Sequence, residues 1–151
     1  MIRLFLFAMA LSFATSSFGN AENIKIGDIS ILAPYAKATP AGARVAGGYL
    51  TLQNNGAKDD ILLSVQCECA DAVEIHQMTH KNGVMAMSQL ERGLLISAGE
   101  KVSLAPGGLH LMFIGLKHQF VQGDTIKGKL HFEMAGDFEV TFNIVPLRGQ
   151  K

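Results

Sequence analysis

Tryptophan is absent from the 151 residues, cysteine occurs twice, and Lys+Arg and Asp+Glu balance at 13 each. Charge balance excludes the basic stripe that nucleic-acid binding requires. No basic amphipathic helix offers itself to a membrane surface. Long helical periods are missing as well, and without strand–helix alternation a parallel α/β fold is disfavoured. No Ser/His/Asp set and no paired carboxylates stand out. Asp59-Asp60 reads as a solvated turn, so an enzyme is not expected.

What is present begins with an N-terminal segment to set aside. MIRLFLFAMALSFATSSFGNA, residues 1–21, carries Arg3, an apolar run from Leu4 to Phe13, and a small-x-small end, Gly19-Asn20-Ala21. This is the pattern of a secretory signal peptide cut before Glu22; its apolar run is too short to span a membrane. The remaining Glu22–Lys151 segment suits a single domain with its own core. Export implies an oxidising compartment. Cys67 and Cys69 stand two apart, so on an extended strand their Cα atoms lie about 6.6 Å from each other. That is near the limit for a disulfide, and their redox state stays open.

The 22–151 segment is a series of short alternating or apolar runs divided by Gly, Asn and Asp, the pattern of an all-β sandwich or barrel. Strand-like runs fall at 24–32, 45–53, 60–65, 72–79, 84–90, 93–97, 101–104, 109–114, 125–134 and 138–145, which turn counting resolves into a sandwich of about nine short strands. Residues 34–44 read as a Pro/Ala/Gly loop.

All five methionines of this segment follow residue 77: Met78, Met85, Met87, Met112 and Met134. The histidines are His76, His80, His110, His118 and His131. In VEIHQMTHKNGVMAMS, residues 73–88, Asn82-Gly83 is the signal for a type I′ hairpin turn. That register sets Lys81 opposite Val84, His80 opposite Met85 and Met78 opposite Met87. Side chains repeat every second residue on a sheet face, so His76, Met78, His80, Met85 and Met87 share one. His110 and Met112 also share a face, with Leu109, Leu111 and Phe113 turned to a core. Met134 reads as ordinary core filler, and His131 and His118 as ordinary surface residues. The crowded set is different, because thioethers on a surface and imidazoles in a core would both be wasted. Thioether sulfur is soft and selects Cu(I). Zinc sites use Cys, His and carboxylates, and calcium and magnesium want oxygen. A blue-copper centre needs a Cys between two His ligands, whereas both cysteines here precede every histidine. The pattern therefore points to a Cu(I) carrier. The competing possibility is a non-metal β-sandwich interaction or assembly module in which Met and His only pack.

The chain resembles the periplasmic copper chaperone family PCu(A)C over nearly all of residues 22–151. The likeness is carried by VEIH (73–76), NGVMAM (82–87), ISAGEKVSLAPGGLHLMFIGLK (96–117) and QGDTIKGKLHFE (122–133). The resemblance implies a cupredoxin-like Greek-key β-sandwich and a copper motif of His, ten residues, Met, a longer gap, then His-x-Met. Here that is His76, Met87, then 22 residues to His110 and Met112. It implies that these four hold one Cu(I); on the hairpin face, Met78, His80 and Met85 read either as a secondary or handover set or as hairpin packing. It also implies a periplasmic carrier that passes copper by ligand exchange to an acceptor, cytochrome c oxidase subunit II with its CuA site or another copper-delivery protein; a monomer is expected. A ligand histidine should fix its second nitrogen by a hydrogen bond; Glu74 is expected on the wrong face to serve His76. The chain departs from the family at Tyr35-Ala-Lys37, where Trp-x-Arg is usual, and at Cys67-Glu-Cys69, which the family pattern lacks. That pair reads either as two small apolar residues or as an extra thiolate or redox-sensitive pair.

Overall fold

The computed structural model describes residues 23–148, so the segment assigned to a signal peptide lies outside the described residues. Eleven strands occur there and no helix: β1 Ile24–Ile26, β2 Ile29–Lys37, β3 Val45–Asn54, β4 Asp60–Gln66, β5 Ala70–Lys81, β6 Val84–Gln89, β7 Leu94–Ile96, β8 Lys101–Leu104, β9 Leu109–Leu116, β10 Thr125–Phe132 and β11 Gly136–Val145. The all-β expectation holds, with more strands than the turn count gave. One extra element comes from the first expected strand, which is split in two, and the loop after it is partly strand. Gly27 adopts φ +60 and breaks residues 24–32 into the β1–β2 hairpin. The supposed loop at 34–44 begins as strand: β2 passes through a bulge between Leu32 and Tyr35, with Ala33 at φ 48, and continues to Lys37. A bulge is where a sheet tolerates proline, which has no N–H for the ladder; Pro34 sits there.

The neighbour order β2-β11-β10-β4-β5-β9-β3 closes on itself through β2–β3 pairing, so one sheet wraps into a barrel. The β2–β11 pair is parallel and the other ring pairings are antiparallel. Around the ring the β2–β3 pairing is extensive, whereas β4–β5 has a single registered pair, Val65 and Val73. Strands β1, β6, β7 and β8 pair with the ring from outside it.

The core follows from period-two alternation. In β10, TIKGKLHF, every second residue from Ile126 to Phe132 is buried, and β11 alternates likewise. Phe113 meets Phe120 and Phe142 edge-on, with ring centroids 5.6 and 5.8 Å apart. Such T-shaped contacts add to the apolar burial. Gly48 leaves room for this cluster: a Cβ there would lie 2.5 Å from Phe113 Cε2.

Two expectations are corrected. Asp60 is not solvated but buried, and its carboxylate accepts the N–H groups of Ile61, Met134 and Ala135 at 2.8, 2.9 and 3.0 Å. Met134, on the turn that Asp60 holds, is exposed rather than core. Removing the acceptor strands turn donors, at about 1–3 kcal/mol for an unsatisfied buried group. Asp60→Ala should lower unfolding stability by about that amount in urea denaturation, and an unchanged midpoint would refute the structural role.

Candidate metal centre

The β5–β6 hairpin turns as its sequence dictates. Asn82 and Gly83 take φ 53 and 78, the two positive values of a type I′ turn. The pairs are Lys81–Val84, His80–Met85, Met78–Met87 and His76–Gln89, so the inferred register is correct. On its other edge β5 pairs with β9, placing His76 opposite His110 and Glu74 opposite Met112. Beyond β9, Gly47 of β3 lies opposite Met112. One sheet face therefore carries Met87, Met78, His76, Glu74, His110 and Met112 in adjoining rows.

The two histidines are the buried members. His76 is 9% and His110 6% exposed, although they lie on the face turned away from Leu111 and Phe113. Their rings meet edge-on with centroids 5.6 Å apart. Burial of a polar group is costly unless its atoms find partners. His110 Nδ1 lies 3.0 Å from the Gly108 carbonyl, which can only accept, so Nδ1 carries the proton and Nε2 the free lone pair. The Gly108 carbonyl also accepts the Met78 N–H at 3.2 Å, tying the loop before β9 to β5. His76 Nε2 lies 2.7 Å from Glu74 Oε2. An N–H at Nε2 leaves the lone pair on Nδ1, and that buried atom has no hydrogen-bond partner. The expectation that Glu74 faces away is thus overturned: residues two apart on a strand share a face.

The sulfurs are more open. Met112 is half-buried and Met87 52% exposed. Met87, Met112, His110 and Met78 line an open groove of about 330 Å³ with Tyr49 and Pro106; His76 lies outside its lining. Gly47, with no side chain, leaves space that the Tyr49 ring leans across, and a Cβ there would lie 2.6 Å from the Tyr49 hydroxyl. His80 and Met85 oppose each other near the exposed hairpin tip, outside this groove. Strand β6 is exposed along its whole length, so the hairpin is an arm projecting from the barrel. Among the described residues, no group of three or more His, Cys, Asp or Glu side chains is placed to hold a metal. The donors that share this face are imidazole and thioether, a soft set of the kind that suits Cu(I). His131 is on the surface beside Asp137, and His118 is exposed against Phe120.

Sequence reasoning missed Glu74 and the Gly108 carbonyl as histidine partners. The i, i+2 spacing of Glu74 and His76 was the available signal for the first. Nothing in the residue types signalled the second. Tyr49 was missed too; its ring stacks against Tyr35 at 5.0 Å.

A family model described as "Putative lipoprotein LpqE-like" matches residues 29–144. "Putative lipoprotein Lxx21020" of Leifsonia xyli subsp. xyli is 31% identical over 104 residues, 69% of this chain and 61% of that protein. "Uncharacterized protein RP573" of Rickettsia prowazekii is 29% identical over 85 residues, 56% of this chain and 47% of that one. The chain thus spans less than two thirds of either relative. Among solved structures, the apo PCuAC domain from PmoF1 superposes with TM-score 0.71 at 25% identity, covering 83% of this chain and 99% of that one. The copper-bound PCuAC domain from PmoF2 gives 0.70 at 22%, covering 83% and 98%. Apo-DR1885 from Deinococcus radiodurans gives 0.62 at 20%, covering 96% and 97%. The latter two likenesses establish a shared fold.

Burial raises the phenol of Tyr35 above the ordinary value of 10.0, and burial followed by the neighbouring charge of Tyr35 raises that of Tyr49. A raised phenol binds its proton more tightly folded than unfolded, so this stability is complete below pH 10 and falls as pH climbs past it. With two tyrosines and no tryptophan in the chain, phenolate absorbance reads this pair cleanly. Both should ionise above pH 10.0, with Tyr49→Phe removing one of the steps; a step at or below that pH would contradict the burial argument.

Proposed function

The chain belongs to the LpqE-like family, the family of the PCuAC copper chaperones, and on that premise we propose that it is a Cu(I)-carrying metallochaperone of the cell envelope. Copper is its cargo. His76, Met87, His110 and Met112 hold the ion, and handover proceeds by ligand exchange to an acceptor protein. The observation that carries this reading is the His76–His110 pair. Glu74 and Gly108 occupy one nitrogen of each ring, leaving the other as a free lone pair, and at His76 that lone pair is buried without a partner. A ligand histidine is characteristically fixed through its second nitrogen by a carboxylate or carbonyl. A histidine placed only for packing gains nothing from a desolvated, unused acceptor.

The division of burial suits a carrier. The imidazoles are rigid and enclosed, whereas Met87 comes from an exposed arm. A thioether is the weaker donor, so an incoming acceptor thiolate displaces it first. The Rickettsia and Leifsonia relatives carry no stated metal, but the lipoprotein name of the latter supports an envelope location. Delivery to the CuA centre of cytochrome c oxidase in the periplasm is the specific task we assign.

Competition for Cu(I) against a chromophoric chelator tests this. The wild type should bind one ion through the groove, and His110→Ala and Met112→Ala should each weaken binding. Glu74→Gln, which keeps the shape but not the charge, should cost about 10–100-fold. Binding should also weaken in acid, because imidazole must be neutral to ligate. Unchanged affinity in both His110→Ala and Met112→Ala would remove the proposal.

A further inference from the structure

At the other end of β5 the structure holds a second set of soft donors. Cys67 and Cys69 form a disulfide with Cα atoms 5.1 Å apart. The half-buried Cys67 and the buried Cys69 line an open groove of about 820 Å³ with His118, Lys127 and Lys129. The disulfide is poorly placed to be a staple, since stabilisation by a cross-link grows with the loop it closes, and this loop is the shortest an i, i+2 pair can make. The turn is also held without it: Ala70 N–H donates to the Cys67 carbonyl, and Lys117 N–H to that of Cys69 at 3.0 Å. The pair instead opens onto a polar groove that a ligand can reach. The Cys69 N–H points at Cys67 Sγ at 3.2 Å, the Lys127 carbonyl oxygen lies 3.1 Å from the same sulfur, and Lys127, Lys129, Glu68 and Glu139 border the groove.

We propose that Cys67 and Cys69 are a redox-gated second Cu(I) site, closed as the disulfide and opened by a dithiol reductant. Thiol–disulfide exchange breaks the S–S bond and gives both cysteines as thiols, while the reductant's two thiols become its own disulfide. Binding Cu(I) then displaces a proton from each cysteine and forms two copper–sulfur bonds. Two thiolates are among the softest donors a protein offers. The site shares no ligand with the His/Met groove: Cys69 lies just before β5, and the chain from there to His76 spans about 23 Å when extended. His118 stands at the rim; its Nδ1 is engaged by the Gln119 carbonyl at 3.2 Å, leaving Nε2 free.

The test is anaerobic Cu(I) titration of the purified chain before and after reduction by a dithiol that is then removed. Reduction should expose both thiols to a maleimide and add one copper per chain. The gain should be absent from Cys67→Ser/Cys69→Ser and should persist in His110→Ala/Met112→Ala. Failure of the groove reading would appear separately, as no copper difference between oxidised wild type and His110→Ala/Met112→Ala. The inference falls if reduced wild type and reduced Cys67→Ser/Cys69→Ser take up equal copper, if the dithiol leaves the maleimide count at zero, or if circular dichroism shows that reduction unfolds the chain.

Discussion

The site depends on one contact, the directly opposed pair His76–His110 across β5 and β9. Burying two imidazoles side by side is costly for every polar nitrogen left without a partner. Glu74 and the Gly108 carbonyl take one nitrogen of each ring and so set both tautomers. The free nitrogens are then fixed by subtraction. The methionines add soft sulfur around a pair whose direction is already decided, and the β5–β6 hairpin brings one of them from outside the barrel.

This arrangement weighs against a module in which Met and His only pack. Such a module would favour histidines fully satisfied or fully solvated, and methionines withdrawn into the core. Here the core is filled by Phe, Leu, Ile and Val, while Met85 and Met87 are 58% and 52% exposed. Exposed thioether beside enclosed imidazole costs hydrophobic burial and hydrogen bonding together. A soft ion offsets both.

The hairpin register was fully legible, because Asn-Gly demands one turn type and one turn type fixes every pair along the arm. The two faces of β9 were legible from its period-two alternation, whereas the strand expected to reach Met134 ends at Phe132. Less accessible were features that arise when distant segments meet. The closure of β2 on β3, the turn held by Asp60, and the carbonyl beside His110 are set by tertiary packing, which residue types do not encode locally. The Ala33 bulge was hidden because Pro34 reads as a loop signal, although a bulge accommodates it within a strand. Glu74 was legible and misread. The Cys67–Cys69 disulfide stayed open because an ideal strand holds the pair near the limit of reach, and only the local turn shortens it to 5.1 Å.

X-ray absorption at the copper edge of the loaded, oxidised protein addresses the central claim most directly, because it counts the neighbours of the ion. With both cysteines in a disulfide, any sulfur bound to copper must be thioether. The account predicts Cu(I) with imidazole nitrogens and methionine sulfurs together in its inner shell. A spectrum showing only nitrogen and oxygen neighbours would contradict it.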